Sequence, residues 1–376
     1  MSDSIAYVTH AKEPLRGSNF KDADAVILCL LSYLHYGKFK DRISLSEMKE
    51  RADGAVSNTR VPDENKELLL ACAESPRFAN IRIDRFAEET DINAVKQFSA
   101  VTFFIDWETI FVAFRGTDGT IIGWQEDFEL AFMDEIPAQG QAKSYLKLIL
   151  AEYWWCHIIV GGHSKGGNLA VYSGMMQSEK HCSRIAIIYN LDGPGFKKDV
   201  EESLEFKAAQ PKVIKIVPEY TVIGMLLQDE THYKVVKASA NWLYQHDLYN
   251  WRIDDTTGNL TYIPAINLDA VNINKAIFHW LDHIDEKKRS IISESLFSIM
   301  KRTECSTVAC VIENWKEHVI KLFLQYRKED KKSRTLLRKD LMVLAKDIMA
   351  ASWQNRDKDD RDKENKPRRK PRIKKK

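Results

Sequence analysis

The chain has 376 residues, 44% of them hydrophobic and 29% charged, with a formal net charge of +2. That is the balance of a folded protein with a sizeable core. No stretch approaches ~20 uninterrupted apolar residues, which argues against a membrane-spanning helix, and the N-terminus shows no basic region followed by an apolar one, so no secretory signal is expected.

Six sparse cysteines (29, 72, 156, 182, 305 and 310) form no C-x-x-C pair. They fit reduced thiols in a cytoplasm better than a disulfide framework. Residues 1–90 read as a mostly helical N-terminal segment, with a helical stripe over Ala23 to Tyr36 and a second short helix over Asn65 to Ala73. Strands are expected at 100–106 and 109–114, joined as a hairpin across Trp107-Glu108. A helix over 140–153 precedes a strand at 157–161. Further strands are expected at Ile185 to Asn190, Val213 to Val217 and Tyr233 to Ala238, separated by helical patterns at 166–178 and 197–209. This alternation predicts an α/β core over 91–263 with a mostly parallel sheet. Residues 251–263 read as a small hairpin with a Thr-Gly-Asn turn. From 264 to 354 the pattern is helical, with Ile273-Ile277-Leu281 and Leu341-Leu344-Ile348 spacing.

The near-neutral total hides an asymmetry. From Asn355 onward there are twelve Lys/Arg and five Asp/Glu, a tail of +7, and the remainder carries −5. Lys366 to Lys376 contains eight basic residues and no acid. Residues 355–376 therefore read as a disordered basic tail. Such a tail suits an anionic membrane surface or nucleic acid, or serves only as a solvated terminus. No aromatic residue is interleaved for base stacking, which weakens the nucleic-acid reading.

The stretch that carries chemistry is Gly162-His163-Ser164-Lys165-Gly166. It has the G-x-S-x-G form, and it lies between the apolar run Ile158 to Val160 and a helix-like segment from Leu169. A strand, a sharp turn and a helix would lift the Ser164 hydroxyl above a sheet edge as a nucleophile. A serine needs a base, an acid to orient that base, and donors for the oxyanion. Asp192, in Leu191-Asp-Gly-Pro-Gly-Phe196, ends the next strand and is the acid candidate. Its competing reading is a cap for the turn that follows. Glu219, in Val217-Pro-Glu-Tyr220, is the alternative acid, and Asp229 is a weaker one. His246, in Gln245-His-Asp247, follows the last strand and is the base candidate. His163 should be locked in the elbow, pointing away from Ser164. The second competing reading makes His246 an exposed loop histidine. For the oxyanion hole, the N–H of Lys165 and the N–H of Thr117, in Phe114-Arg-Gly-Thr117, are expected. Arg115 is expected to pair with a carboxylate, and Trp124 and Asp127 to lie in a helix above the site.

Phe114-Arg-Gly-Thr117, Trp124-x-x-Asp127 and Gly162-His-Ser-x-Gly-Gly167 together resemble the class 3 (fungal-type) lipases and their relatives. The resemblance covers roughly residues 95–250. The fuller set, with Asp192-Gly-Pro-Gly-Phe196, Val222-Ile-Gly-Met-Leu226 and Gln245-His-Asp247, resembles a lipase-like α/β-hydrolase family of bacteria. Leu191-Asp192-Gly-Pro is also similar to the acid-bearing segment of pancreatic-type lipases. Class 3 lipases place their acid after the following strand, near Glu219-Tyr220 here, with tyrosine where aspartate would stand. The resemblance implies a serine hydrolase acting on small esters, acyl lipids among them, and the triad mechanism calls for no metal or organic cofactor. A non-catalytic α/β-hydrolase-like binding protein is the alternative.

Other signals are weaker. His279 and His283 share a helix face at i, i+4 but lack the glutamate of H-E-x-x-H, and a surface helix is the simpler reading. The glycines near Ser164 lack the lysine and spacing of a phosphate loop. Tyr153-Trp154-Trp155 reads as core beside the strand it precedes.

Overall fold

In the computed structural model the described residues are 1–37, 42–57, 59–118, 120–130, 133–227, 232–282, 284–301 and eight positions between 327 and 343. Asp229, His283, Cys305, Cys310 and the basic tail lie outside them. A nine-stranded sheet runs in strict chain order. Its strands are β1 (Ile43–Ser44), β2 (Arg82–Asp91), β3 (Lys96–Phe104), β4 (Thr109–Phe114), β5 (His157–His163), β6 (Ile185–Leu191), β7 (Val213–Pro218), β8 (Tyr233–Val236) and β9 (Tyr262–Ile263). β1 to β4 pair antiparallel, β4 to β8 pair parallel, and β9 turns back antiparallel on β8.

The parallel centre follows from composition. All of β4 is buried, as is β5 beyond its first residue. Strands covered on both faces become continuous apolar runs rather than alternating ones. One face carries Leu146, Ile149 and Leu150 of the helix Pro137–Glu152, with Leu169 and Ala170 of the helix Lys165–Met175, against Ile158, Val160 and Ile188. The other face carries the N-terminal helices. Ile5 and Val8, then Val26, Ile27 and Leu31, pack with Phe103, Phe111 and Ile159 in one core. A buried ion pair fastens this layer. Asp24 accepts from Arg77 Nε at 2.8 Å and Nη2 at 2.7 Å, from the Tyr7 hydroxyl and from the Lys21 amide. This is an α/β-hydrolase-like fold, a mostly parallel sheet with helices on both sides.

The structure departs from expectation at β2 and in the aromatic triplet. Helices predominate in the N-terminal 90 residues, but β1 and most of β2 also lie within them, and neither strand is expected from the sequence. β2 (Arg-Ile-Asp-Arg-Phe-Ala-Glu-Glu-Thr-Asp) pairs along nearly all of β3, but it is only partly buried, so its sequence lacks an apolar stripe. The segment 251–263 forms the expected small hairpin, turning at Gly258 with φ +69 and bridging Ile253 to Leu260, and its end, β9, also pairs with β8. In the aromatic triplet Tyr153 is core, at 4% exposure, whereas Trp154 and Trp155 are 72% and 46% exposed. They sit in the turn into β5, where the chain leaves the packed helix face.

Candidate active site

β5 ends at His163, and Ser164 caps the helix Lys165–Met175 with φ 58 and ψ −131. L-residues rarely adopt that conformation, and it costs on the order of 1–3 kcal/mol. It persists because both flanks are fixed. The Ser164 amide donates to the Leu191 carbonyl at 2.9 Å, and the Ser164 carbonyl accepts from Gly167 N–H at 2.9 Å. Glycine is required at 162 because a Cβ there would overlap the Gly166 carbonyl. The segment after β4 crosses closely, since a Cβ on Gly116 would come within 3.0 Å of Ser164 Cβ.

Asp192 follows β6, the neighbour of β5, and also has positive φ, 49°. Its side chain is 1% exposed. Oδ2 lies 2.7 Å from His246 Nδ1, and Oδ1 accepts the Thr221 hydroxyl at 2.5 Å. A carboxylate only accepts, so Nδ1 of His246 carries the proton and Nε2 keeps a lone pair. Thr221 Oγ1 in turn accepts the Gly224 amide at 3.1 Å. Lys215, buried on β7, lies within electrostatic reach of Asp192 and Glu201, and burial lowers its ammonium to about 7. Glu219 is elsewhere. Its backbone joins Val236 and Asn267, and no described contact links its carboxylate to His246. Tyr220 stacks on Trp242 at 6.3 Å, and its amide donates to Gln245 Oε1 at 2.7 Å.

Lys165 follows the serine in the chain, and Thr117 follows Gly116, whose backbone passes close to Ser164. Neither amide donates a hydrogen bond among the described residues, and Lys165 N–H opens a helix, where the first amides point outward without intrahelical partners. Thr117 Oγ1 donates to Asp127 Oδ2 at 2.6 Å. Burial raises the Asp127 carboxyl to about 6, against the pull of the Lys165 ammonium and the Thr117 hydroxyl. Arg115 pairs with Glu88 at 2.6 Å. The helix Ile121–Glu129, carrying Trp124 and Asp127, starts at Thr120, whose hydroxyl accepts the Gly123 amide.

Sequence reasoning gave Lys165 only a backbone task. Its side chain is fully buried, with Nζ 2.7 Å from Glu126 Oε2 and 2.9 Å from the Gln97 carbonyl. Glu126 also accepts the amides of Gln97 and Ala138. One ion pair thus ties the serine turn to β3 and to two helices. Nothing local marks it in sequence, apart from an acidic residue beside Asp127. Among the described residues no group of three metal-ligating side chains occurs, and His279 is exposed.

The mostly parallel sheet, with the serine turn at its carboxyl edge and the Asp192–His246 pair, defines a protein of α/β-hydrolase-like fold. The family model described as Mbeg1-like matches residues 72–298, and the chain belongs to this lipase-like family. Similar solved structures include the Lip2 lipase of Yarrowia lipolytica (12% identity, TM-score 0.33, 60% of this chain and 83% of that one). Two others are lipase II of Rhizopus niveus (15%, 0.33, 60% and 87%) and the Rhizomucor miehei lipase propeptide complex (15%, 0.33, 64% and 81%). No curated protein matches the sequence. No described helix is long and apolar enough to cross a membrane.

Proposed function

We propose that the protein is a serine hydrolase that cleaves carboxylic esters, with acyl lipids as the substrate class. One observation carries the reading: His246 Nδ1 is held 2.7 Å from the buried Asp192 carboxylate, at the sheet edge where Ser164 occupies its positive-φ turn. In this scheme His246 Nε2 takes the Ser164 proton as Oγ attacks the ester carbonyl. Asp192 stabilises the resulting imidazolium, and the N–H groups of Thr117 and Lys165 stabilise the oxyanion. Collapse expels the alcohol, which takes the proton from His246. Water, deprotonated by His246, then attacks the acyl-enzyme and releases the acid and free Ser164.

An exposed apolar run close in sequence to the base candidate supports an acyl substrate. Trp242, Leu243 and Tyr244 lie two to four residues before His246 and are 71%, 58% and 76% exposed. A series of p-nitrophenyl esters tests the reading. Wild type should hydrolyse them and prefer longer acyl chains, and Ser164→Ala should lose at least about 10⁴-fold in turnover. Hydrolysis that survives in Ser164→Ala, or none by wild type with any chain length, would defeat it.

A further inference from the structure

His163 stands next to Ser164 in the chain, and it touches the general-base candidate in two ways. Its ring lies against the His246 ring, with centroids 4.5 Å apart and planes at 37°. Its Nε2 lies 2.8 Å from the His246 backbone carbonyl, and its Nδ1 lies 2.8 Å from the Tyr33 hydroxyl. A carbonyl only accepts, so the proton of His163 is on Nε2. Nδ1 then accepts from Tyr33. Both ring nitrogens are used, and the tautomer is fixed by its surroundings.

From this geometry we infer that His163 is a positioning residue for His246, anchoring the base to the same strand end that presents the nucleophile. The inference rests on the serine-hydrolase reading above. The residues on either side of His246 have hydrogen bonds of their own, whereas the His246 carbonyl is held by His163. Gln245 is held by the Ala240 carbonyl, the Tyr220 amide and Trp251 Nε1. The preceding Trp242 to Tyr244 faces outward. Without His163 the His246 carbonyl would lose this bond and its ring this packing neighbour, and an error of ~1 Å in placing a catalytic group costs on the order of 10²-fold.

The charge state fits the task. The titratable and charged groups around His163 are His246, Tyr33 and Arg60, and those around Tyr33 are Arg60, Arg115, Asp247 and Cys29. Burial, followed by the proximity of His246, holds His163 well below the usual histidine range. His163 therefore stays neutral. When His246 becomes an imidazolium it meets a neutral ring and not a second cation.

The test compares wild type, His163→Phe, His163→Gln and Tyr33→Phe, using p-nitrophenyl butyrate turnover and the rate of fluorophosphonate labelling. Phenylalanine keeps the ring contact but removes the donor to the carbonyl. Glutamine places an amide N–H near the position of Nε2. In His163→Phe, kcat and labelling rate should fall at least about tenfold with KM within about twofold. His163→Gln should recover most of that loss, and Tyr33→Phe should fall between them. The low-field proton resonance of His246 Nδ1–H should be retained in His163→Gln and broadened in His163→Phe. Wild-type rates in both His163→Phe and Tyr33→Phe overturn the inference. So does a loss in His163→Phe that His163→Gln does not recover. If wild type itself shows no Ser164-dependent labelling, it is the serine-hydrolase reading that fails, and that outcome is distinct from the other two.

Discussion

Asp127 has one carboxylate oxygen on the Thr117 hydroxyl and the other buried without a hydrogen-bond partner among the described residues. Its pKa lies at about 6, above that of an exposed aspartate. An acid raised on folding gives up its proton more readily when unfolded. Its contribution to stability is therefore full below the unfolded pKa and falls as pH rises to about 6. Asp127→Asn does not titrate. The stability of this variant relative to wild type should grow between pH 4 and pH 7, by on the order of 2–3 kcal/mol. Urea unfolding at several pH values measures the slope, and a flat difference contradicts the assignment. At Asp192, replacement by Asn leaves the shape but supplies a donor where Nδ1–H needs an acceptor. Turnover of p-nitrophenyl butyrate should fall roughly 10⁴-fold. Glu219→Gln should stay within about twofold of wild type, and the reverse pattern would move the acid to Glu219. The residues of this constellation were legible because each ends a strand or follows one, in the order Ser, acid, His. The hydrogen bond that favours Asp192 over Glu219 was not, since two carboxylates after neighbouring strands look alike until the loop bearing His246 is placed.

Elements meet at the Lys165–Glu126 pair. Both side chains are fully buried, and their residues are 39 positions apart in the sequence, so no local pattern could announce the contact. Removing one partner leaves an uncompensated charge. Lys165→Met should destabilise the protein by about 3–5 kcal/mol. Chemical denaturation checks this, and a loss under about 1 kcal/mol would contradict a buried, uncompensated Glu126 charge in the variant. β2 escaped sequence reading for a related reason. It is a long edge-proximal strand whose charges are half-exposed, including Glu88, which pairs with Arg115. Its strand character comes from pairing with β3 and not from its own hydrophobic period. By contrast, the buried apolar runs of β4 and β5 announced themselves.

In the whole molecule the sheet is closed on both faces, and the N-terminal helices are one of the two layers. Leu28 is fully buried in the core they share with Phe103 and Ile159. Leu28→Ala should cost about 2–5 kcal/mol by urea unfolding, and a loss below about 1 kcal/mol would mean that this layer packs loosely on the sheet. The layered architecture brings Ser164 and Asp192 to the carboxyl ends of the neighbouring strands β5 and β6 and His246 to them from the segment after β8, on the edge where open α/β sheets bind ligands.

The account turns on Ser164 as an activated nucleophile. Incubation with a fluorophosphonate followed by mass spectrometry of the digested protein addresses this directly. Wild type should carry one phosphonyl adduct, on the peptide containing Ser164, and Ser164→Ala should carry none. An adduct that persists in Ser164→Ala, or a wild type that remains unlabelled, would contradict it.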